Sequence, residues 1–316
     1  MIQTVTGPRD SLGFCHSHEH LCIEPGRSAQ VYAPLRIDEP EKTLRELLLF
    51  RAAGGRAVVD AQPVGCGRNA EVLRALSEQS GVDIIASTGF HKPVFYPESH
   101  WLFRYSERRL ADLFITELRS GMYVGCDAAE PARTCPVKAG QIKTALDENP
   151  FAAHMQKCFG AAAEASLETG APIMVHVEKN SDPQALAEFL KSRGVCLNKV
   201  IFCHMDRAVP ALETHQRLCE MGAYMEYDTI ARPKYHDDDS EVAIIAEMVR
   251  RGFENQILMG LDVTRERYLS YGGSVGLAYI LETFLPKLLE KLTPQQTDLF
   301  FVQNPSRVFS FGGANR

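Results

Sequence analysis

Short apolar runs alternate with longer amphipathic stretches along most of the chain. The runs are GFCHSHEHL (13–21), RAVVDAQP (56–63), DIIASTGF (83–90), AGQIKTAL (139–146), APIMVHV (171–177), KVIFCHM (199–205), AYMEYD (223–228) and QILMGLD (256–262). Between them lie EKTLRELLLFRAAGG (41–55), RNAEVLRALSEQSG (68–81), AHMQKCFGAAAEASLETG (153–170), PQALAEFLKSRG (183–194) and EVAIIAEMVRRG (241–252). The runs read as strands and the longer stretches as helices. Several helical stretches end in glycine, the residue best suited to a left-handed helix cap. Eight strands alternating with helices predict an α/β chain, folded as one parallel (β/α)8 TIM barrel over residues 1–316. The tail TPQQTDLFFVQNPSRVFSF (293–311) predicts one more helix packed on that barrel. A doubly wound open sheet is the runner-up. The lack of G-x-G-x-x-G after the first strand weakens its dinucleotide-binding version. The longest connection, roughly 92–138, carries the only tryptophan and several prolines and is expected to hold an active-site loop.

Composition narrows the function classes. The 316 residues are 45% hydrophobic and 23% charged, with a net charge of −6. That is ordinary globular composition, with length for a large core. The charge gives no sign of a nucleic-acid partner or a polybasic membrane surface. No apolar run approaches the eighteen or so residues of a membrane span. The start, MIQTVTGPRD, has no secretory signal pattern. Nine scattered cysteines without a C-x-x-C pair argue against a disulfide framework and a cysteine zinc site, so the cytoplasm is expected.

The chemistry gathers at the strand ends, where barrel enzymes of this type work. His18 and His20 stand two residues apart and face the same side of the first strand. Lys143 lies in the fourth strand, His176 near the end of the fifth and His204 near the end of the sixth. Asp262 ends the eighth. Imidazole plus carboxylate is the ligand set of zinc and similar divalent ions. H-x-H alone is a weak signal, and a lone histidine is usually a hydrogen-bonded, partly buried side chain. The weight lies in the joint placement on one barrel mouth. His16 shares the face of His18 and His20 but is taken as a non-ligand. His91, His100, His154, His215 and His236 fall in loops or on helices and are set aside.

With GFCHSHEHL, PIMVHVEKN, VIFCHMDR and ILMGLDVTR together, nearly the whole chain resembles the amidohydrolase superfamily, and within it the phosphotriesterase-like group. The resemblance implies that His18, His20 and Asp262 hold a more buried divalent metal, and His176 and His204 a more exposed one. It implies that Lys143 is carbamylated by carbon dioxide and bridges the two. An unmodified ammonium between two dications would be repelled; the carbamate is an anion with an oxygen for each. A water bridging the metals would then be acidic enough to give hydroxide near neutral pH. Asp262 would be catalytic, taking the proton of that water and passing it to the leaving group. His-rich carboxylate sites accept zinc first in expectation, with manganese, cobalt or iron as alternatives.

The substrate reading comes from the loops after strands seven and eight, a frequent phosphate site of this fold. ARPKYHDDD (231–239) and DVTRERYLSYGG (262–273) resemble the branch of the group that hydrolyses phosphorylated sugar lactones. By that similarity Lys234, Arg265 and Tyr268 grip the phosphate, and Arg267 is structural or peripheral. Phe90, His91 and Tyr96 could line the pocket. The expectation is a lactonase that opens aldono-1,4-lactone phosphates, acting on small molecules as a homodimer. Another lactonase or carboxylesterase, a phosphotriesterase, and a catalytically silent binding protein on the same scaffold remain the alternatives.

Overall fold

The computed structural model describes residues 1–147 and 152–311. All eight apolar runs form strands: β1 Cys15–Glu19, β2 Ala57–Asp60, β3 Asp83–Ile85 continuing as Ser87–Gly89, β4 Gln141–Leu146, β5 Ile173–Val177, β6 Val200–Cys203, β7 Tyr224–Tyr227 and β8 Ile257–Met259. Every ladder between consecutive strands is parallel. β3 passes between two sheets. Its first segment pairs with β2, its second with β4, and Ala86 marks the switch.

The barrel closes between β8 and β1 through a carboxylate as well as the backbone. The Asp262 N–H donates to the His18 carbonyl at 3.1 Å. The buried Glu19 side chain accepts from the N–H groups of Leu261 and Val263 at 2.9 and 3.0 Å. Gly260 makes this approach feasible, because a Cβ there would stand 2.8 Å from the His18 carbonyl oxygen. Only glycine leaves that space empty. The result ties the strand carrying His18 to the segment carrying Asp262.

The strands are apolar on both faces because both faces are covered. Cys15, Val59, Ile85, Met174, Ile201 and Leu258 pack inside the barrel with Ile2, Leu12, Val308 and Phe309 from the two ends of the chain. Outside run the helices α1 Pro40–Ala53, α2 Ala70–Ser80, α3 Glu107–Arg119, α4 Ala153–Thr169, α5 Pro183–Ser192, α6 Leu212–Glu220 and α7 Asp238–Arg250. Their starts are capped by side chains where the sequence offers them: Asn69, Ser106, Asp182 and Asp237 each accept from the helix's first turn. Residues 294–308 are helical, as expected of the tail, with a π segment at Leu299–Gln303. Among the described residues no helix is long and apolar enough to cross a membrane.

The 92–138 connection differs from expectation. Trp101 is buried and donates its indole N–H to the Cys126 carbonyl at 2.7 Å. The segment carries α3 and a small antiparallel pair, Tyr123–Val124 with Arg133–Thr134. It is held chiefly as packing, and only its first residues, Lys92 and Phe95, reach the cavity at the barrel mouth.

Candidate metal centre

The six side chains expected at the mouth meet there. His18, His20 and Asp262 present donor atoms within 4.8 Å of one another. His20 Nε2 stands 3.4 Å and His18 Nε2 3.8 Å from Asp262 Oδ1. His176 Nδ1 and His204 Nε2 face each other at 2.8 Å. Lys143 is buried, with Nζ 3.1 Å from His18 Nε2 and 3.6 Å from the Met174 sulfur. Its near neighbours are thus an imidazole nitrogen and a thioether rather than a carboxylate.

Backbone strain marks two of these positions. His204 and Asp262 have φ of +62° and +46°, left-handed values unusual for such residues. Each costs of the order of 1 kcal/mol or more, and persists only where surroundings enforce it. The His204 N–H is held by Asp228 at 3.2 Å, and the Asp262 N–H by the His18 carbonyl.

Two carboxylates from the end of β7 aim the imidazoles. His18 Nδ1 lies 2.8 Å from a Glu226 carboxyl oxygen and His204 Nδ1 2.8 Å from one of Asp228, and burial pushes the Glu226 carboxyl up to about 8 and that of Asp228 well up too. Asp206 supports Asp228 in turn, accepting from the N–H groups of Asp228 and Thr229 at 2.8 and 2.6 Å. With Nδ1 protonated, the Nε2 lone pairs of both rings point into the cluster, the tautomer a metal ligand needs. Burial, reinforced by Lys143 beside His18 and Arg207 beside His204, holds both imidazoles well below the usual histidine range. Burial takes His176 down to about 4. Burial drives Asp262 toward protonation, but Arg232, the His20 hydrogen bond and Arg207 outweigh it and keep the carboxylate ionised. Four imidazoles and a carboxylate crowd together, with His176 Nδ1 and His204 Nε2 only 2.8 Å apart. That donor set fits divalent cations.

The cluster floors a cavity of about 520 Å³. Its wall is basic: Lys92, Arg207, Arg232, Lys234 and Arg267 line it, against Asp262 and Glu266. Of the three residues expected to bind phosphate, only Lys234 is there. Arg265 turns away and pairs with Glu39 at 2.6 Å and Asp38 at 3.3 Å. Tyr268 is fully buried and donates its hydroxyl to the His20 carbonyl at 2.8 Å, so it positions the His20 backbone from behind. Arg267, read as peripheral, takes the inward position, with its guanidinium on the carbonyls of Asp262 and Ile230 at 3.3 and 2.7 Å. Burial and the neighbouring Arg232 lower its pKa to about 10.

Other residues at this site were not anticipated. Arg207 and Arg232 reach Asp262 Oδ2 at 3.1 and 3.2 Å. Glu226 and Asp228 carried a visible signal, since acids inside the apolar run AYMEYD have no reason to be buried except to serve a partner. Arg207 sits three residues past His204, within the same motif. Of the proposed pocket residues, His91 lines the cavity, whereas Phe90 and Tyr96 are buried. His16 is buried too and pairs with Glu19 at 2.9 Å, away from the cluster.

Comparison with known proteins agrees with this geometry. The model of the phosphotriesterase family matches residues 1–309, so the chain belongs to that family. It is 29% identical to the phosphotriesterase homology protein of Escherichia coli over 95% of this chain and 99% of that one. A crystal structure of that relative, complexed with phosphate in its active site, superposes with a TM-score of 0.84 at 26% identity, covering 95% of this chain and 99% of the other. A lactonase from Listeria monocytogenes superposes with a TM-score of 0.89 at 28% identity, each chain covered to 99%. The N-acetyltaurine hydrolase of Rattus norvegicus is 28% identical over 98% of both chains.

Proposed function

We propose that this phosphotriesterase-family hydrolase is a lactonase that opens phosphorylated aldonolactones with a pair of divalent ions. One observation carries the reading: a single cavity joins a floor of metal-type donors to a wall bearing Arg207, Arg232, Lys234 and Arg267. Arg207 and Arg232 are engaged by Asp262 and Arg267 by backbone carbonyls, so Lys234 is the wall cation left to answer an anionic substrate group. An anionic tail would meet Lys234 while the substrate's carbonyl rests on the floor, so that remote binding energy positions the reacting bond.

His18, His20 and Asp262 would hold one ion, His176 and His204 the other, with Lys143 bridging as its carbamate, formed from the amine and carbon dioxide with release of a proton. When bound, such ions, zinc foremost, supply Lewis acidity to the carbonyl and acidify water. Glu226 and Asp228 keep the ligand rings in one tautomer. Asp262, held ionised by Arg207 and Arg232, would take the proton of the attacking water and return it to the departing alkoxide. His91, which lines the cavity, accepts the Lys92 N–H on Nδ1 at 2.7 Å, so its ring hydrogen sits on Nε2. Lys234 would supply a point charge to an anionic group.

A second reading has its own support. The N-acetyltaurine hydrolases among the relatives, by their name, cleave an amide bearing an anionic tail, and the same basic wall suits one. The test is a rate comparison on metal-loaded enzyme prepared with bicarbonate. Five-carbon aldonolactones with and without a 5-phosphate would be set beside N-acetyltaurine. A large preference for the phosphorylated lactone supports the first reading; preference for the amide replaces it with the second. Equal rates on both lactones would discard the phosphate assignment.

A further inference from the structure

Behind the barrel mouth, the loop after β7 covers another set of convergent donors. Asp206 follows β6, His236 precedes α7, and Glu241 lies in the first turn of α7. One donor atom from each falls within 4.8 Å of the other two. Asp206 and Glu241 are buried, and the His236 side chain is 16% exposed, which leaves a way in from solvent.

Three features mark this as more than an acidic cluster. Glu241 is 0% exposed, and the groups beside its carboxyl are His236 and Asp206, neither in regular hydrogen-bond alignment with it. A buried carboxylate left that way is costly. His236 Nδ1 lies 3.1 Å from the Asp237 carbonyl, an acceptor, so that nitrogen carries the ring hydrogen. In the neutral ring the Nε2 lone pair then faces Glu241 Oε2 at 3.0 Å, outside hydrogen-bond alignment. A lone pair and a carboxylate oxygen repel at that distance, and either a proton on Glu241 or a cation among the three side chains removes the repulsion. Asp206 adds to the negative charge; after burial, its proximity is the largest influence pushing Glu241 upward.

We infer that Asp206, His236 and Glu241 form a further cation site, separate from the barrel mouth, for a zinc-class divalent ion. The chemistry is apt: one imidazole nitrogen and two carboxylates suit such ions, and tetrahedral bonds of about 2.1 Å place neighbouring ligand atoms about 3.4 Å apart. The ion has a structural task. It ties α7 to the loop 229–237, which carries Arg232 and Lys234, and so fixes part of the basic wall.

The test is zinc content. Wild type, Glu241→Gln and His236→Ala would be produced in zinc-supplemented medium, desalted and analysed by mass spectrometry for metal per chain. Each variant is expected to hold one zinc fewer than wild type, and wild-type crystals to show an anomalous zinc peak among the three side chains. Equal zinc in all three proteins, with no such peak, overturns the inference and leaves a shared proton as the link. His236→Ala alters a partly exposed side chain and keeps the test decisive if Glu241→Gln fails to fold. The readout is a difference, so zinc missing from the barrel mouth would show separately, in the count the variants retain.

Discussion

The floor and the wall of the cavity are built in different ways. The floor hangs on strand ends: Lys143 and His176 lie within parallel ladders, His18 in the register shift of β1 between His16 and Glu19, and His20, His204 and Asp262 follow within a few residues of their strands. Carboxylates from β7 then lock the rings. The wall hangs on loops after β6, β7 and β8, whose arginines are placed by ion pairs and carbonyl contacts. Ladder geometry is repetitive and rigid, and loop geometry depends on distant partners. Under the proposed function, the rigid floor supplies the hydrolytic chemistry and the loop-built wall selects the substrate.

Breaking the floor should have the largest effect. His18→Ala or Lys143→Ala removes a proposed ligand and is expected to strip metal and cut kcat/KM by about 10³-fold or more, several kcal/mol of Lewis-acid stabilisation. Metal analysis beside kinetics checks it, and full metal content with full activity would refute the ligand assignment. Glu226→Gln keeps every ligand but weakens the acceptor that orients His18. Metal affinity should drop about 10- to 100-fold, measurable by competition with a chelator. Unchanged affinity would make Glu226 a packing residue.

Breaking the wall should leave metal in place. Lys234→Ala is expected to raise KM for a phosphorylated substrate about 10-fold, a charged hydrogen bond's worth, with little change for its unphosphorylated analogue. The same rise for both substrates would disprove a phosphate role.

The pH dependence of the metal-free protein sharpens the contrast. Burial lowers the His176 pKa from 6.5 to about 4, so between these values the unfolded chain binds the proton and the folded chain does not. Stability therefore falls as pH drops from 6.5 toward 4. The melting temperature of chelated protein should fall across that window, and His176→Asn should flatten the slope. An identical slope in the variant would assign the loss elsewhere. The smallest effect is expected from Tyr268→Phe, which removes the hydrogen bond to the His20 carbonyl and should cost about 1 kcal/mol in denaturant titration. A loss of phosphate selectivity there, without a stability change, would restore Tyr268 to substrate binding.

The same contrast governs what could be read before the structure. All eight apolar runs became strands because burial on both faces leaves a plain pattern. His18 and His20 were placed together by the two-residue period of a strand. The interruption of β3 at Ala86 left no mark, since sheet switching alters pairing without altering polarity. At the wall, the short turns Arg265–Arg267 and Leu269–Tyr271 set which side chains point inward, and spacing along the chain does not encode that. Arg265 faces outward because Asp38 and Glu39, more than two hundred residues away, capture it. Arg267 takes the inward place. Long-range ion pairs of this kind are invisible in a motif.

The most direct test of a metal floor under a substrate-selecting wall compares Lys143→Ala and Lys234→Ala, each assayed for bound metal and for its rate ratio on phosphorylated and unphosphorylated lactone. The account predicts that Lys143→Ala loses metal and activity toward both substrates. It predicts that Lys234→Ala keeps its metal and loses only the preference for the phosphorylated lactone. A Lys143→Ala protein that retains metal and rate, or a Lys234→Ala protein that retains the preference, would contradict it.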